Sequence, residues 1–529
     1  MNRAPYCYRG TIAAILLCLT AFQVWAAPVS ATVDLDSWIY AALDKLAGLG
    51  YIDSGISGNR PYTRMQVARQ IVEAAHTIKH SDSAAHGSRS TPQLPAPIVD
   101  ELLSRLEKEF DFELAQRQGR SSGYVKPLRD LRLDYVYRDG PASTMPLYRP
   151  TEQFSLNYNN DGIEYAEGTN LQLRFDAEAR LGGFLLLSAR PIVLFNNSKD
   201  SQAEDLTIDT LAATAALGLG PIEISFGRQS LWWGQGRHGT LILTNNATPL
   251  TMLRITNPRP VLLPWLFRYL GPFRFDLFFS RLEENRAVPE PSISGLRLNL
   301  KPLPWLEIGA SRVIMFGGEG RPEIDFQDYL SILSGRNLSG EEDTSNQLAA
   351  LDLRLGLPFV RGAQLYAEIG GEDEAGGTFT LDGWIAGLYF PKIEPGGRIS
   401  LRLEYADLSD IKGPHPPWYR HSVYHSGYTH QGNIMGHHAG TAAWDYFAGI
   451  EFWISDALTV NLSADYEIRG NDAPERETHF QGAVGAEWRL KEWLSLHLDY
   501  RFDKIDGFAF TPDETRTCHF FSMGSGLNW

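Results

Sequence analysis

From about residue 128 onward the chain alternates apolar and polar residues with a period of two. Leu171, Leu173, Phe175, Ala177, Ala179 and Leu181 fall on one face of an extended strand, and Gln172, Arg174, Asp176, Glu178 and Arg180 on the other. Residues 399–405, 460–469 and 494–503 repeat the pattern. The runs are about ten residues long, the length a tilted strand needs to cross a bilayer. A soluble sandwich also alternates, but this many strands would have to share one dry core while carrying ionised residues on their second face. A slip of one residue would place Arg174 or Arg402 in lipid, at about 2–4 kcal/mol each near the midplane. The apolar face is therefore assigned to lipid and the ionic face, including Arg402, Glu404, Asp465 and Arg469, to a wet lumen.

The gaps between strands alternate in length. Tight turns are expected at 182–183, 301–304, 358–362, 455–456 and 491–492, and long connections at 140–169, 230–249, 316–346, 408–444 and 504–515. Short periplasmic turns and long external loops are the usual asymmetry of transmembrane barrels, and the count comes to about eighteen antiparallel strands with both chain ends on the periplasmic side. Tyr405, Tyr466, Tyr500 and Phe502 sit late in their apolar runs, where an interfacial aromatic girdle belongs. The last eight residues, 522–529, end on Trp529 and resemble the pattern that the outer-membrane assembly machinery of diderm bacteria reads on a final strand.

Bulk properties agree. The chain has 529 residues, 43% of them hydrophobic, and a formal charge of −15. That acidity argues against nucleic-acid binding through phosphates. No stretch outside the N-terminus reaches the roughly 18 consecutive apolar residues of a membrane helix. Residues 1–26 read as a secretory signal: Arg3 and Arg9 form a basic region, 11–24 an apolar run, and Val24 to Ala26 a small-residue cleavage site. Of the three cysteines, Cys518 alone remains in the mature chain, so an internal disulfide is excluded.

Residues 27–120 are read as a periplasmic helical domain and 121–529 as the outer-membrane barrel. Leu35, Trp38, Ile39, Ala42, Leu43 and Leu46 follow a helical period stopped by Gly48 and Gly50. A second helix is expected over 63–78, a polar linker over 80–90, and a third helix over 97–116 carrying Val99, Leu102, Leu103, Leu106 and Phe110. The stretch 40–52 followed by 61–68 is similar to one S-layer-homology repeat, a module that binds cell-wall polymers. A cap packed beneath the barrel is the plainer reading of the same helices.

The external loops carry unusual motifs. These are FGRQSLWWGQGR at 226–237, continuing through 239–247 to Pro249; FGGEGRP at 316–322; WYRH at 418–421 with Tyr424; and GYTHQGN at 427–433, leading to MGHH at 435–438. On these stretches the chain resembles the Wzi-like capsule assembly family of outer-membrane β-barrels, with Gln235 standing where a proline is expected. The resemblance implies a barrel of about eighteen strands, a periplasmic helical bundle, and a lectin-like role holding capsular polysaccharide at the cell surface. Related proteins take part in polysaccharide export. The residues read the same way: Trp232, Trp233, Trp418, Tyr419, Tyr424 and Tyr428 offer flat faces for sugar rings, and Arg228, Arg237, Glu319, Arg321, His430 and Asn433 offer hydrogen-bonding groups for hydroxyls and uronate carboxylates. The alternative is that these residues fold the loops into the lumen and close it.

His415, His421, His425, His430, His437 and His438 crowd one loop. Asp410 is the nearby carboxylate, and neither a His-Glu spacing nor a CxxC pattern accompanies them, so no metal site is read there. Ser422 and Ser426 lie near these histidines, but any His-rich loop contains such neighbours, so no catalytic site is read and the chain is expected not to be an enzyme. No cofactor is implied. Expected partners are capsular or extracellular polysaccharide, outer-membrane lipid and the outer-membrane assembly machinery, with peptidoglycan or a polymer-export channel as further candidates. The expected function is to bind and organise surface polysaccharide during capsule or exopolysaccharide assembly. The rivals are a polysaccharide export pore and a peptidoglycan-tethering porin.

Overall fold

The computed structural model describes residues 27–85, 97–117, 123–146, 153–156, 158–198, 206–322, 324–325, 327–329, 345–372, 381–409 and 418–529. The expected signal at 1–26, His415 and Asp410 lie outside this set. Strands β1 (Tyr124–Asp139), β2 (Gly168–Leu181), β3 (Leu185–Ser198), β4 (Leu206–Leu219), β5 (Ile222–Gln229) and β6 (Leu250–Thr256) form the first third of the wall. Then come β7 (Pro272–Arg281), β8 (Ser292–Leu303), β9 (Leu306–Phe316), β10 (Ser345–Leu357), β11 (Ala363–Glu372) and β12 (Gly383–Phe390). The last are β13 (Ile399–Asp407), β14 (Trp444–Trp453), β15 (Leu458–Arg469), β16 (Glu477–Lys491), β17 (Leu494–Asp506) and β18 (Thr515–Asn528). Each strand pairs antiparallel with the next, and β1 closes on β18 with Asp130 opposite Asn528 and Asp139 opposite His519. The short segment Val261–Leu262 continues β6 along β7, so the closed sheet counts 18 strands.

Closure leaves no unpaired sheet edge, which is what lets strands lie in hydrocarbon. The assigned facing of β2 holds: its even-numbered residues from Asn170 to Arg180 are buried inside, while Leu171 and Leu181 are exposed outside. Phe226, Ile208 and Phe480 join the outer apolar band. Trp384, Tyr405, Tyr446 and Tyr466 lie side by side on β12 to β15, with Tyr405 and Tyr446 ring centroids 4.7 Å apart, forming the expected girdle at the outer end. A 3-10 turn, Trp265–Leu270, exposes Trp265, Leu266, Phe267 and Tyr269 at the opposite end, a composition suited to the membrane interface. No helix among the described residues is long and apolar enough to cross a membrane.

The helices sit under the end with the tight turns. They are α1 (Trp38–Gly48), α2 (Arg64–Ala85), α3 (Pro97–Glu109) and α4 (Asp111–Arg117). The second helix thus runs through most of the expected linker, and the third breaks at Phe110. Ser37 caps α1 through its Oγ, which accepts from the Ile39 N–H at 3.4 Å. Ile39, Leu43 and Leu46 pack on Val67 and Ile71 of α2 and on Val99, Leu102 and Leu106 of α3. Arg105 pairs with Glu487 at 2.7 Å and Arg398 with Glu101 at 2.5 Å, which fastens α3 to the barrel rim.

The other face of α1 enters the lumen. Lys45 Nζ donates to the carbonyls of Pro391 (2.5 Å) and Gly397 (2.7 Å) and to Ser400 Oγ (2.8 Å). Burial lowers its ammonium to about 8, although Glu451 and Glu394 act to raise it. Asp44 lies within salt-bridge distance of four guanidiniums: Arg237 (3.0 Å), Arg60 (3.1 Å), Arg402 (3.5 Å) and Arg354 (3.9 Å). Burial alone would raise its carboxyl, but these charges outweigh burial and hold it far below the usual carboxylate range. Asn59 and Arg60 go further still and pair, strand-like, with Trp233 and Trp232 of an external loop. Segments from both membrane sides therefore meet inside the barrel.

Removing Asp44 would leave buried guanidiniums uncompensated, at about 3–5 kcal/mol. Asp44→Ala should lower the thermal midpoint of the detergent-folded protein and expose the 27–117 region to protease, while the barrel keeps its heat-modifiable migration. Because the carboxyl is depressed on folding, its contribution is complete above about pH 4 and is lost as the pH falls below that. An unshifted midpoint in Asp44→Ala would show that the helices do not depend on this anchor.

Candidate functional site

Most of the ionic ladder read as wet lumen lining is buried against other protein groups, although Arg174, Asp176 and Arg469 also face a cavity. Asp176, Asp465, Glu404 and Arg469 are all buried, and so is Arg174. Three inward glutamates show how they are satisfied. Glu307 accepts backbone N–H groups from Ser57 (2.8 Å) and Gly58 (2.9 Å). Glu368 accepts from Gly236 (2.8 Å) and Leu241 (3.1 Å), and Glu404 from Arg237 (2.9 Å) and His238 (3.1 Å). The connection after β5 is thereby drawn into the barrel. Its turn needs glycine: at Gly234, where φ is +144°, a Cβ would lie 2.4 Å from the Glu368 carboxylate. Gln235 donates to Glu307 (3.0 Å) and Asp352 (2.9 Å) and accepts from Ser57 Oγ (2.9 Å), bonds a proline could not make.

Above this polar layer the loops form an apolar core of their own. Trp233 packs on Phe278 of β7, with ring centroids 5.4 Å apart, and Tyr419 stacks on Tyr428 at 5.7 Å. Leu241, Trp418, Tyr424 and Met435 join inward residues Val313, Met315, Leu348 and Ile385 of the wall. Tyr419 Oη donates to the Leu241 carbonyl at 2.7 Å and accepts from the His437 N–H at 2.9 Å, tying two loops together. Thr244 Oγ1 donates to the Gly436 carbonyl at 2.6 Å.

This placement corrects the aromatic candidates. Trp233, Trp418, Tyr419 and Tyr428 are fully buried, and Tyr424 and Trp232 nearly so, so none presents a face to solvent. The physical reason is that a tryptophan in a loop gains more by covering apolar wall than by waiting for a sugar. Arg237 is committed to Asp44. Arg228 shares the outward face of Phe226 and pairs with Asp209 at 2.6 Å, so it lies outside the lumen. His430 bonds Glu283 at 2.7 Å. Burial alone would raise the Glu283 carboxyl, but that bond and the Arg286 charge hold it below its ordinary range. Glu319 stands exposed at the rim, and Arg321 lies half-buried over the Tyr424 ring at 6.0 Å.

A cavity of about 960 Å³ runs along the wall formed by β15 to β18, β1 and β2. It is lined near α1 and α3 by Trp38 and Arg105, and near the outer loops by Ser143, Tyr158 and Asn433. Asn433 is the sequence candidate that lines it, and its buried Oδ1 makes no hydrogen bond among the described residues. The Arg501 guanidinium lies 5.3 Å from the Phe520 ring centroid and 5.9 Å from that of Tyr158, and Tyr165 meets Phe520 edge-on at 5.6 Å. Arg138 donates to the Tyr165 carbonyl at 2.6 Å. Burial pushes the Tyr165 phenol up to about 12, so it stays a neutral donor and acceptor. Tyr158, Tyr165, Arg501 and Phe520 were not read from the sequence. Arg501 and Phe520 carry the inward parity of their strands, but so do dozens of others, and only closure of β18 on β1 brings them to Tyr158 and Tyr165.

The sequence model described as capsule assembly protein Wzi matches residues 138–519. A Klebsiella pneumoniae protein described as an uncharacterized 55.8 kDa protein in the cps region is 35% identical over 159 residues. That match spans 29% of this chain and 31% of the Klebsiella protein, under a third of its length. Among solved structures, Escherichia coli Wzi, described as a carbohydrate-binding β-barrel of the outer membrane involved in group 1 capsule assembly, superposes with a TM-score of 0.69 at 19% identity. The alignment covers 95% of this chain and 100% of that one, and it shows a shared fold.

Two substitutions test whether the loop core seals the lumen. Glu368→Ala leaves the Gly236 and Leu241 N–H groups buried without an acceptor, at about 1–3 kcal/mol each. Trp418→Ala empties a filled site, at about 3–5 kcal/mol. Each should raise ion conductance in planar bilayers while the barrel remains heat-modifiable. Currents as small as those of the unaltered protein would mean the seal lies elsewhere.

Proposed function

The chain belongs to the capsule assembly protein Wzi family, and from that premise we propose that it is a non-enzymatic outer-membrane barrel that holds surface polysaccharide at the cell during capsule or exopolysaccharide assembly. The observation that carries this reading is the combination of a packed lumen with an accessible cavity walled by aromatic rings and guanidiniums. Rings of Tyr158, Tyr165 and Phe520 suit the apolar faces of pyranoses, and Arg138, Arg501 and Asn433 suit their hydroxyls. Carboxylates such as Asp134, Asp499 and Asp503 share the lining, so the site fits a hydroxyl-rich chain better than a densely anionic one. The Escherichia coli relative, described as carbohydrate-binding, supports the same reading.

A second reading, an export pore for the same polymer, is favoured by the reach of the cavity from α1 and α3 to the outer loops. The tethering reading is weakened by the engagement of Asp44, Ser57 and Arg60 inside the barrel.

Deleting the gene separates the first two readings. A surface-holding protein predicts polymer shed into the medium, whereas an export pore predicts polymer trapped in the periplasm. Complementation with Tyr158→Ala/Arg501→Ala should insert normally yet fail to retain polymer. In purified form, its affinity for the cell's own capsular polysaccharide should fall about tenfold or more. Full retention by this variant would overturn the assignment of the cavity.

A further inference from the structure

Beneath the loop core, four side chains from distant parts of the chain converge. His238 comes from the connection between β5 and β6, His438 from the connection between β13 and β14, and Asp445 and Asp465 from the inward faces of β14 and β15. One ligand atom from each lies within 4.8 Å of all the others. His238 Nε2 is 3.1 Å from Asp465 Oδ2 and 3.6 Å from Asp445 Oδ2. His438 Nε2 is 3.3 Å from Asp445 Oδ2 and 4.0 Å from Asp465 Oδ2. A zinc ion with bonds of about 2.0–2.1 Å requires tetrahedral ligand separations of about 3.3 Å, so these atoms already stand close to the edges of such a site.

Their surroundings point the same way. His438 is fully buried, its Nε2 lies 3.2 Å from Glu467 Oε1 as well as 3.3 Å from Asp445 Oδ2, and neither of its ring nitrogens nor Asp445 Oδ2 meets hydrogen-bond geometry among the described residues. Two aspartates are buried side by side, their ionic contacts among the described residues are to histidines, and the Arg469 guanidinium pairs with Glu467. A divalent cation would neutralise both. The imidazoles are held in place: His238 stacks on Phe447 with centroids 4.0 Å apart, and His437 stacks on His438 at 4.6 Å. Two nitrogens and two carboxylate oxygens form a donor set suited to zinc.

We propose that His238, His438, Asp445 and Asp465 form a structural zinc site that staples two lumen-filling loops to the β14–β15 wall. Four protein ligands close the coordination sphere, so the ion holds structure and does no chemistry. The proposal is independent of the polysaccharide reading, since it concerns how the loops are fastened and not what they hold.

The test uses full-length, tag-free protein in detergent, stripped with a chelator, reloaded with zinc and desalted. Metal analysis should find about one zinc per chain in the unaltered protein and in His425→Ala, and less than about a tenth in His238→Ala/His438→Ala. Asp445→Asn, which keeps the shape of the side chain, should also lose most of the zinc, and heat-modifiable migration checks that each variant is folded. Cobalt in place of zinc should give the intense visible absorption of a tetrahedral site. Absence of zinc from the unaltered protein, retention of it by both ligand variants, or the weak spectrum of octahedral cobalt would overturn the proposal.

Discussion

The structure depends on where its buried carboxylates find donors. Lipid on one face of each strand forces charge onto the other, and inside a barrel of this width that face is too far from its opposite wall to be paired across the gap. Glu307, Glu368 and Glu404 solve this by accepting backbone N–H groups from chain that has entered the lumen. Backbone amides are rigid, numerous and uncharged, so they satisfy a carboxylate without importing a second costly ion. Once the connection after β5 and the segment around Ser57 are captured, Asp44 and Arg237 lock the two together.

The barrel consequently carries a core inside its own lumen. Inward residues of β7 to β13 present apolar surface at the outer half, and Trp233, Trp418 and Tyr428 cover it. Packing there follows the rules of a globular protein, whereas the outer face follows those of the bilayer. Among the described residues, the cavity lies along the wall from β15 round to β2. The sealed core and the cavity thus lie on two sides of one cylinder.

The loop motifs illustrate why residue type alone misleads about role. Aromatic, arginine and glycine residues in an external loop are the composition of a sugar site and equally of a plug. Trp232 and Trp418 turned out to be plug, whereas the half-buried Tyr158 ring, with the Arg501 guanidinium 5.9 Å from its centroid, lines the cavity. The histidines behave similarly. Sequence proximity grouped six of them in one loop, yet the cluster with ligand geometry takes one from that loop, one from another and two aspartates from the wall.

Strand facing, strand count, sidedness of the turns and the family were legible in the chain itself, because lipid imposes a period of two, a fixed span and an alternation of turn lengths on every hairpin. The helices under the barrel were legible for a similar reason, since Ile39, Leu43 and Leu46 in one, and Val99, Leu102 and Leu106 in another, recur at helical spacing. What the tertiary structure alone decided is which inward groups meet. Closure of β18 on β1 and the folding-in of loops join residues hundreds of positions apart, and no local pattern encodes that a glutamate on β11 will hold the amide of Gly236 or that His238 will face Asp465.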